Sequence, residues 1–222
     1  MNIVNRRVNA LILALQFIVP VVIAGSILID EKILSYVEKE YGTVARNRLV
    51  TWDELTQLNR DKPVAEKLKT VNDFFNQVRF ISDDVHWKQK DYWATPIEFL
   101  STNGGDCEDF TLAKYFTLRE LGVPDKNLRM TYVKAIKLNQ AHMVLSYFET
   151  PDAEPLILDN LIPEIRSASK RRDLVPVYSF NGNGLWLAKE RERGKRVGDS
   201  SRISRWGDVI QRMNEINRKA SK

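Results

Sequence analysis

The sequence predicts an α+β domain in which a helical first half precedes a strand-rich second half. Three observations predict it. Apolar residues recur at helical spacing up to Leu121, the run Gly122-Val123-Pro124 then stops the pattern, and five short β-like segments follow. The helix next to that boundary is apolar around most of its circumference (Phe110, Leu112, Ala113, Tyr115, Phe116, Leu118, Leu121), which predicts a central, buried position.

The elements follow in order. Ile29 to Tyr41 places Ile29, Ile33, Leu34, Val37 and Tyr41 on one face, and Gly42 ends that helix. Thr51-Trp52-Asp53-Glu54 has the spacing of a capping box and predicts a short second helix through Leu58. Pro63 opens a third, with Leu68, Val71, Phe74, Phe75 and Val78 as its stripe. Phe80 to Trp93 is without clear period, and Thr95-Pro96 starts another helical turn. The junction helix runs from Asp106 to Leu121. Strands are predicted at 128–136, 141–148, 155–159, 174–180 and 185–188, with Asn181-Gly182-Asn183-Gly184 as a hairpin turn between the last two. Residues 190–201 read as a charged linker. Trp206, Val209, Ile210, Met213 and Ile216 then give a C-terminal helix one apolar face, expected to pack back on the domain.

The chain has 222 residues, enough for one sizeable domain and a tail. Its 34 basic residues exceed its 29 acidic ones by a margin too small to imply nucleic acid, and no zinc-finger spacing or aromatic–basic recognition motif is present. Residues 1–24 have the form of a signal peptide, with Arg6-Arg7 ahead of an apolar run from Ala10 to Ala24. The run is short and is broken by Gln16 and Pro20, so cleavage after Ala24 is expected, with an uncleaved anchor as the alternative. The body then lies across the membrane, in the periplasm if the source is bacterial. The expected domain spans residues 25–189, and residues 190–222 form the linker and final helix.

Cys107 is the single cysteine. It has no disulfide partner in the chain and follows Gly104-Gly105-Asp106 at the start of the junction helix, where free N–H groups and the helix dipole favour a thiolate. The two glycines permit a tight turn and close approach by a substrate backbone. The Cys107 N–H is a natural oxyanion donor. A nucleophilic thiol needs a base, and of the two histidines His142 begins a predicted strand. A hairpin turning near Thr150-Pro151 would set Asp159 directly opposite His142, close enough to orient the imidazole. A slip of one residue would turn Asp159 to the other face. The carboxylates Asp106, Glu108 and Asp109 crowd the sulfur, and negative neighbours suppress a thiolate. They either cap the helix or hold a hard cation such as calcium.

The runs Gly104-Gly105-Asp106-Cys107-Glu108-Asp109, Ala141-His142-Met143-Val144, Leu158-Asp159-Asn160 and Pro176-Val177-Tyr178-Ser179-Phe180-Asn181 together resemble the LapG family of bacterial transglutaminase-like cysteine proteinases. The resemblance implies a papain/transglutaminase-like fold, with the nucleophile on a central helix packed on an antiparallel sheet. It implies Cys107 as nucleophile, His142 as base and Asp159 as orienting acid, and calcium bound through Asp106, Glu108 and Asp109. It further implies a periplasmic endopeptidase that cuts the N-terminal region of a large secreted adhesin beside a paired-alanine motif, releasing it and dispersing a biofilm. The inhibitory partner would be a LapD-like inner-membrane receptor of cyclic di-GMP. By analogy with transglutaminase sites, Trp93 is a candidate second oxyanion donor. Two alternatives remain: a transglutaminase, which passes the same acyl group to an amine, and an inactive binding module.

Overall fold

A computed structural model describes residues 29–189 and 192–221. The predicted leader, residues 1–24, lies outside the described residues. Among those described, no helix is long and apolar enough to cross a membrane.

The helical half holds α1 (Glu31–Tyr41), α2 (Thr43–Asn59), α3 (Val64–Phe75), the single turn α4 (Asp83–His86), and α5 (Pro96–Thr102). Asp30 caps α1 by accepting the Ile33 N–H. Gly42, at φ +88°, turns the chain from α1 into α2 in a conformation that other residues adopt only at a cost. α2 begins eight residues before the capping box predicted at Thr51. The Thr51 hydroxyl instead donates to the Asn47 carbonyl from mid-helix. The face Ala45, Leu49, Trp52 and Thr56 continues through that point, and its burial outweighs a local capping pattern. At α5, Thr95 and Glu98 do form a capping box, with Pro96 at the first helical position.

Two-residue strands β1 (Arg79–Phe80) and β2 (Gly104–Gly105) pair in parallel just before α6 (Cys107–Glu120). Then come β3 (Leu128–Ala135), β4 (Gln140–Tyr147), β5 (Leu156–Leu158), β6 (Arg166–Ser167), β7 (Leu174–Phe180), β8 (Leu185–Lys189), β9 (Glu192–Gly198) and α7 (Ser204–Ala220). β3 to β9 form one antiparallel sheet in the order β6-β5-β4-β3-β7-β8-β9. Strand β9 occupies most of the stretch read as a charged linker. Its charged residues lack the alternation that marks a half-buried strand, so pairing with β8 is what defines it.

α6 packs on one face of this sheet, in a core that includes Phe110, Phe116, Met130, Met143, Leu145 and Leu158. The other face carries the smaller cluster of Val133, Val144 and Ile157. α7 returns to the α6 side. Trp206 stacks on Phe116 at 5.5 Å and meets Phe180 edge-on at 5.8 Å, while Val209, Met213 and Ile216 are buried. Each such side chain contributes on the order of 2 kcal/mol by leaving water, which fixes the helix to the domain.

Candidate active site around Cys107

Three elements meet at the start of α6. Cys107 occupies its first helical position and is 9% exposed. α6 is tied to β4 by a hydrogen bond from the Thr111 hydroxyl to the Met143 carbonyl, one residue beyond His142. The first turn of the helix therefore lies against the segment of β4 that carries the histidine.

His142 and Asp159 are both buried, and His142 Nε2 lies 2.7 Å from Asp159 Oδ1. The register differs from the one predicted. Leu145 pairs with Leu158 and Tyr147 with Leu156, so Asp159 falls two residues short of the position opposite His142. The cause is the connection, an eight-residue loop over residues 148–155 in place of a two-residue turn. A shift of two preserves the face, and the carboxylate reaches the imidazole diagonally. Asp159 is held from several sides. Oδ1 also accepts the Leu161 N–H at 3.0 Å, Oδ2 accepts from Arg171 Nη2 at 2.7 Å, and its carbonyl accepts from Asn76 Nδ2 at 2.8 Å. Burial pushes the Asp159 carboxyl up, but His142, the Leu161 N–H and Arg171 outweigh it and bring it down to about 2. Asp159 is an anion at any working pH.

The thiol sits in a different electrostatic setting. Its Sγ donates to Glu108 Oε2 at 2.8 Å. Burial first, then the charges of Glu108 and Asp106, push the thiol well above its ordinary range; the Met143 N–H works the other way. In this arrangement the sulfur is protonated at neutral pH, and its hydrogen-bond partner is Glu108.

The acids form two overlapping groups that share Asp106. Oxygen atoms of Asp83, Asp106 and Asp109 lie within 4.8 Å of one another, and Asp106 and Glu108 group likewise around the Cys107 sulfur. Burial and the Asp106 charge raise Asp83 to about 7, and burial and Glu108 raise Asp106 to about 8. Asp109, fully buried, is also driven up, by burial and then by Asp106. Asp109 spends both oxygens on backbone, accepting the Ala94 N–H at 2.6 Å and the Asp106 N–H at 3.2 Å. By contrast, Asp83 Oδ1 and Asp106 Oδ1 are buried without a hydrogen-bond partner among the described residues. Orphaned carboxylate oxygens among mutually repelling acids are a donor set suited to a hard cation. Asp83 was not legible as a member. It opens a single-turn helix some twenty residues upstream, which the β1–β2 pairing and the Ile81 N–H on the Gly105 carbonyl bring to the site, and its Oδ2 accepts the Tyr92 N–H.

Gly104 and Gly105 make room for packing behind the cysteine. A Cβ on Gly105 would lie 2.2 Å from Asp109 Oδ2, and one on Gly104 would lie 2.6 Å from Ile81 Cδ1. The Trp93 indole N–H donates to Asp91 Oδ1 at 2.9 Å. Arg171, part of a basic run in the sequence, is 2% exposed and bonded to Asp159.

A family model described as bacterial transglutaminase-like cysteine proteinase matches residues 44–187. Among curated proteins none matches the chain. Three solved structures of Legionella pneumophila LapG are similar to it. The EGTA-treated form is 48% identical, with a TM-score of 0.74 over 84% of this chain and 98% of that one. A second is 46% identical, with a TM-score of 0.75 over 86% and 98%. The calcium-bound form is 46% identical, with a TM-score of 0.72 over 82% and 98%. Sequence match, shared fold and a cysteine at the head of the central helix agree: the chain belongs to the bacterial transglutaminase-like cysteine proteinases and is a cysteine protease.

Proposed function

We propose that the chain is a calcium-dependent periplasmic endopeptidase that cuts the N-terminal region of a large surface adhesin beside a paired-alanine motif, releasing the adhesin and dispersing biofilm. On this reading, the periplasmic domain of a LapD-like cyclic di-GMP receptor restrains it. The observation that carries the reading is the buried His142–Asp159 pair, on a strand that bonds through Met143 to the helix bearing Cys107, in a chain close to half identical to LapG.

In the proposed reaction the Cys107 sulfur attacks the scissile carbonyl. His142 takes the thiol proton on Nδ1, the nitrogen left free by the Nε2 contact with Asp159, and returns it to the departing amine. The Asp159 carboxylate fixes that tautomer and stabilises the imidazolium. The Cys107 N–H, in the first turn of α6, donates to the oxyanion. A water deprotonated by His142 then hydrolyses the thioester and frees the thiol. Calcium, held by Asp83, Asp106, Asp109 and Glu108, would supply positive charge next to the sulfur and offset the acids that hold it protonated.

The test is incubation with an adhesin N-terminal fragment, with and without a chelator, beside Cys107→Ala. Cleavage confined to the calcium-loaded parent is expected. Equal cutting by the alanine variant would refute the mechanism, and insensitivity to chelation would refute the metal requirement. Incorporation of an amine into a glutamine peptide in place of hydrolysis would favour acyl transfer.

A further inference from the structure

We propose that Arg171 is a positioning residue of the site: it clamps Asp159 Oδ2, so that Oδ1 is presented to His142 Nε2 and the imidazole keeps Nδ1 free for the thiol. The inference rests on the proteolytic reading above and adds a fourth member to its chain of contacts.

Geometry carries it. Arg171 and Asp159 have side chains 1% and 0% exposed, and Nη2 lies 2.7 Å from Oδ2. A buried carboxylate with one oxygen on a histidine can still rotate about its Cβ–Cγ bond and exchange oxygens. A cation on the second oxygen prevents that. Arg171 is itself fixed. Its Nε and Nη2 fork onto Asp173 Oδ1 and Oδ2 at 3.0 and 2.9 Å, its N–H donates to the Ala168 carbonyl, and its carbonyl accepts the Leu174 N–H. The fork needs a planar guanidinium, since an ammonium offers no two parallel N–H groups. Asp159, which lies just past the end of the short strand β5, is thus anchored to the segment that opens β7, on the far side of the His142-bearing strand. Asn76 holds the backbone of the same residue from the helical half.

A buried ion pair that only held the fold together would leave the imidazole's tautomer alone, and that difference is the test. The chain has only His86 and His142, so two imidazoles are observed by long-range ¹H–¹⁵N NMR, with His86 as internal control. The parent is expected to show His142 as the Nε2–H tautomer. Arg171→Met is expected to give a mixture of tautomers and to lose roughly 10- to 100-fold in kcat, by analogy with the outer hydrogen-bond partners of metal-bound histidines, with KM little changed. Arg171→Lys should restore part of kcat, because charge survives without the fork. If Arg171→Met does not fold, Asp173→Asn, which removes only the second anchor of the guanidinium, is expected to show the same changes in smaller measure. A folded Arg171→Met or Asp173→Asn with the parental tautomer and kcat would overturn the proposal. Failure of the parent to cleave the adhesin fragment would sink the substrate assignment, while the tautomer result would still decide the role of Arg171.

Discussion

Lys114 lies on the central helix, 1% exposed, with its Nζ donating to Asn76 Oδ1 at 2.8 Å. Burial drives its ammonium down from 10.5 to about 7, against the opposing pull of Asp159 and Asp73. A lysine lowered in the fold destabilises it wherever the unfolded chain binds the proton more tightly. The cost is full below the folded value, falls as pH rises from about 7 to 10.5, and is gone above that. The gap corresponds to roughly 5 kcal/mol at pH 6 and about 2 kcal/mol at pH 9. Replacing Lys114 with Met removes the charge at similar volume. It also leaves Asn76 Oδ1 without its donor, at a cost of about 1–3 kcal/mol that does not depend on pH. The informative quantity is therefore the variant-minus-parent difference in urea-unfolding free energy at the two pH values, in which titrations common to both proteins cancel. Lys114→Met should gain on its parent by about 3 kcal/mol more at pH 6 than at pH 9. A difference constant within about 1 kcal/mol would refute the reasoning and show that the lysine is neutral or well solvated in the fold.

The other predictions concern the ground around the thiol. Asp83 and Asp106 are raised to about 7 and about 8, so the metal-free protein should lose stability as pH rises from about 4 to about 8. Calcium should consequently raise Tm more at pH 8 than at pH 5, and Asp83→Asn should raise the metal-free Tm at pH 8 while blunting the calcium response. A calcium shift equal at both pH values, or unaltered in Asp83→Asn, would count against a shared site. Gly105→Ala should destabilise by about 3 kcal/mol or more, because its Cβ would meet Asp109 and Phe99. Gly42→Ala, where nothing crowds the site and only φ resists, should cost about 1 kcal/mol by chemical denaturation.

How much of this was written in the sequence depends on whether local pattern or long-range contact decides each feature. The junction helix was legible to within a residue at each end, because a glycine-bearing start, an apolar circumference and a Gly-Val-Pro stop are local signals. Asp159 was legible as a residue sharing a face with His142, since strand parity is local. Its pairing partner was not, because the length of the loop at 148–155 decides the register. Arg171 is one member of a basic run. Nothing in Lys170-Arg171-Arg172 says which side chain turns inward, and the carboxylates that receive it come from two separate segments. Asp83 was hidden for the same reason. The glycines before Cys107 were legible as necessary, but the atoms that would exclude a Cβ there, on Ile81, Phe99 and Asp109, were not.

The central claim is that Cys107 is a nucleophile activated by His142 and released from its acidic neighbours by calcium. The rate of alkylation of the single cysteine by iodoacetamide at pH 7, followed by mass spectrometry, measures this most directly. The account predicts a calcium-loaded parent that reacts faster than a free thiol. The chelated protein should be slow, because Glu108 and burial hold the proton on sulfur, and His142→Gln should be slow in both states. A rate no faster than a free thiol with calcium present, or one indifferent to His142, would contradict it.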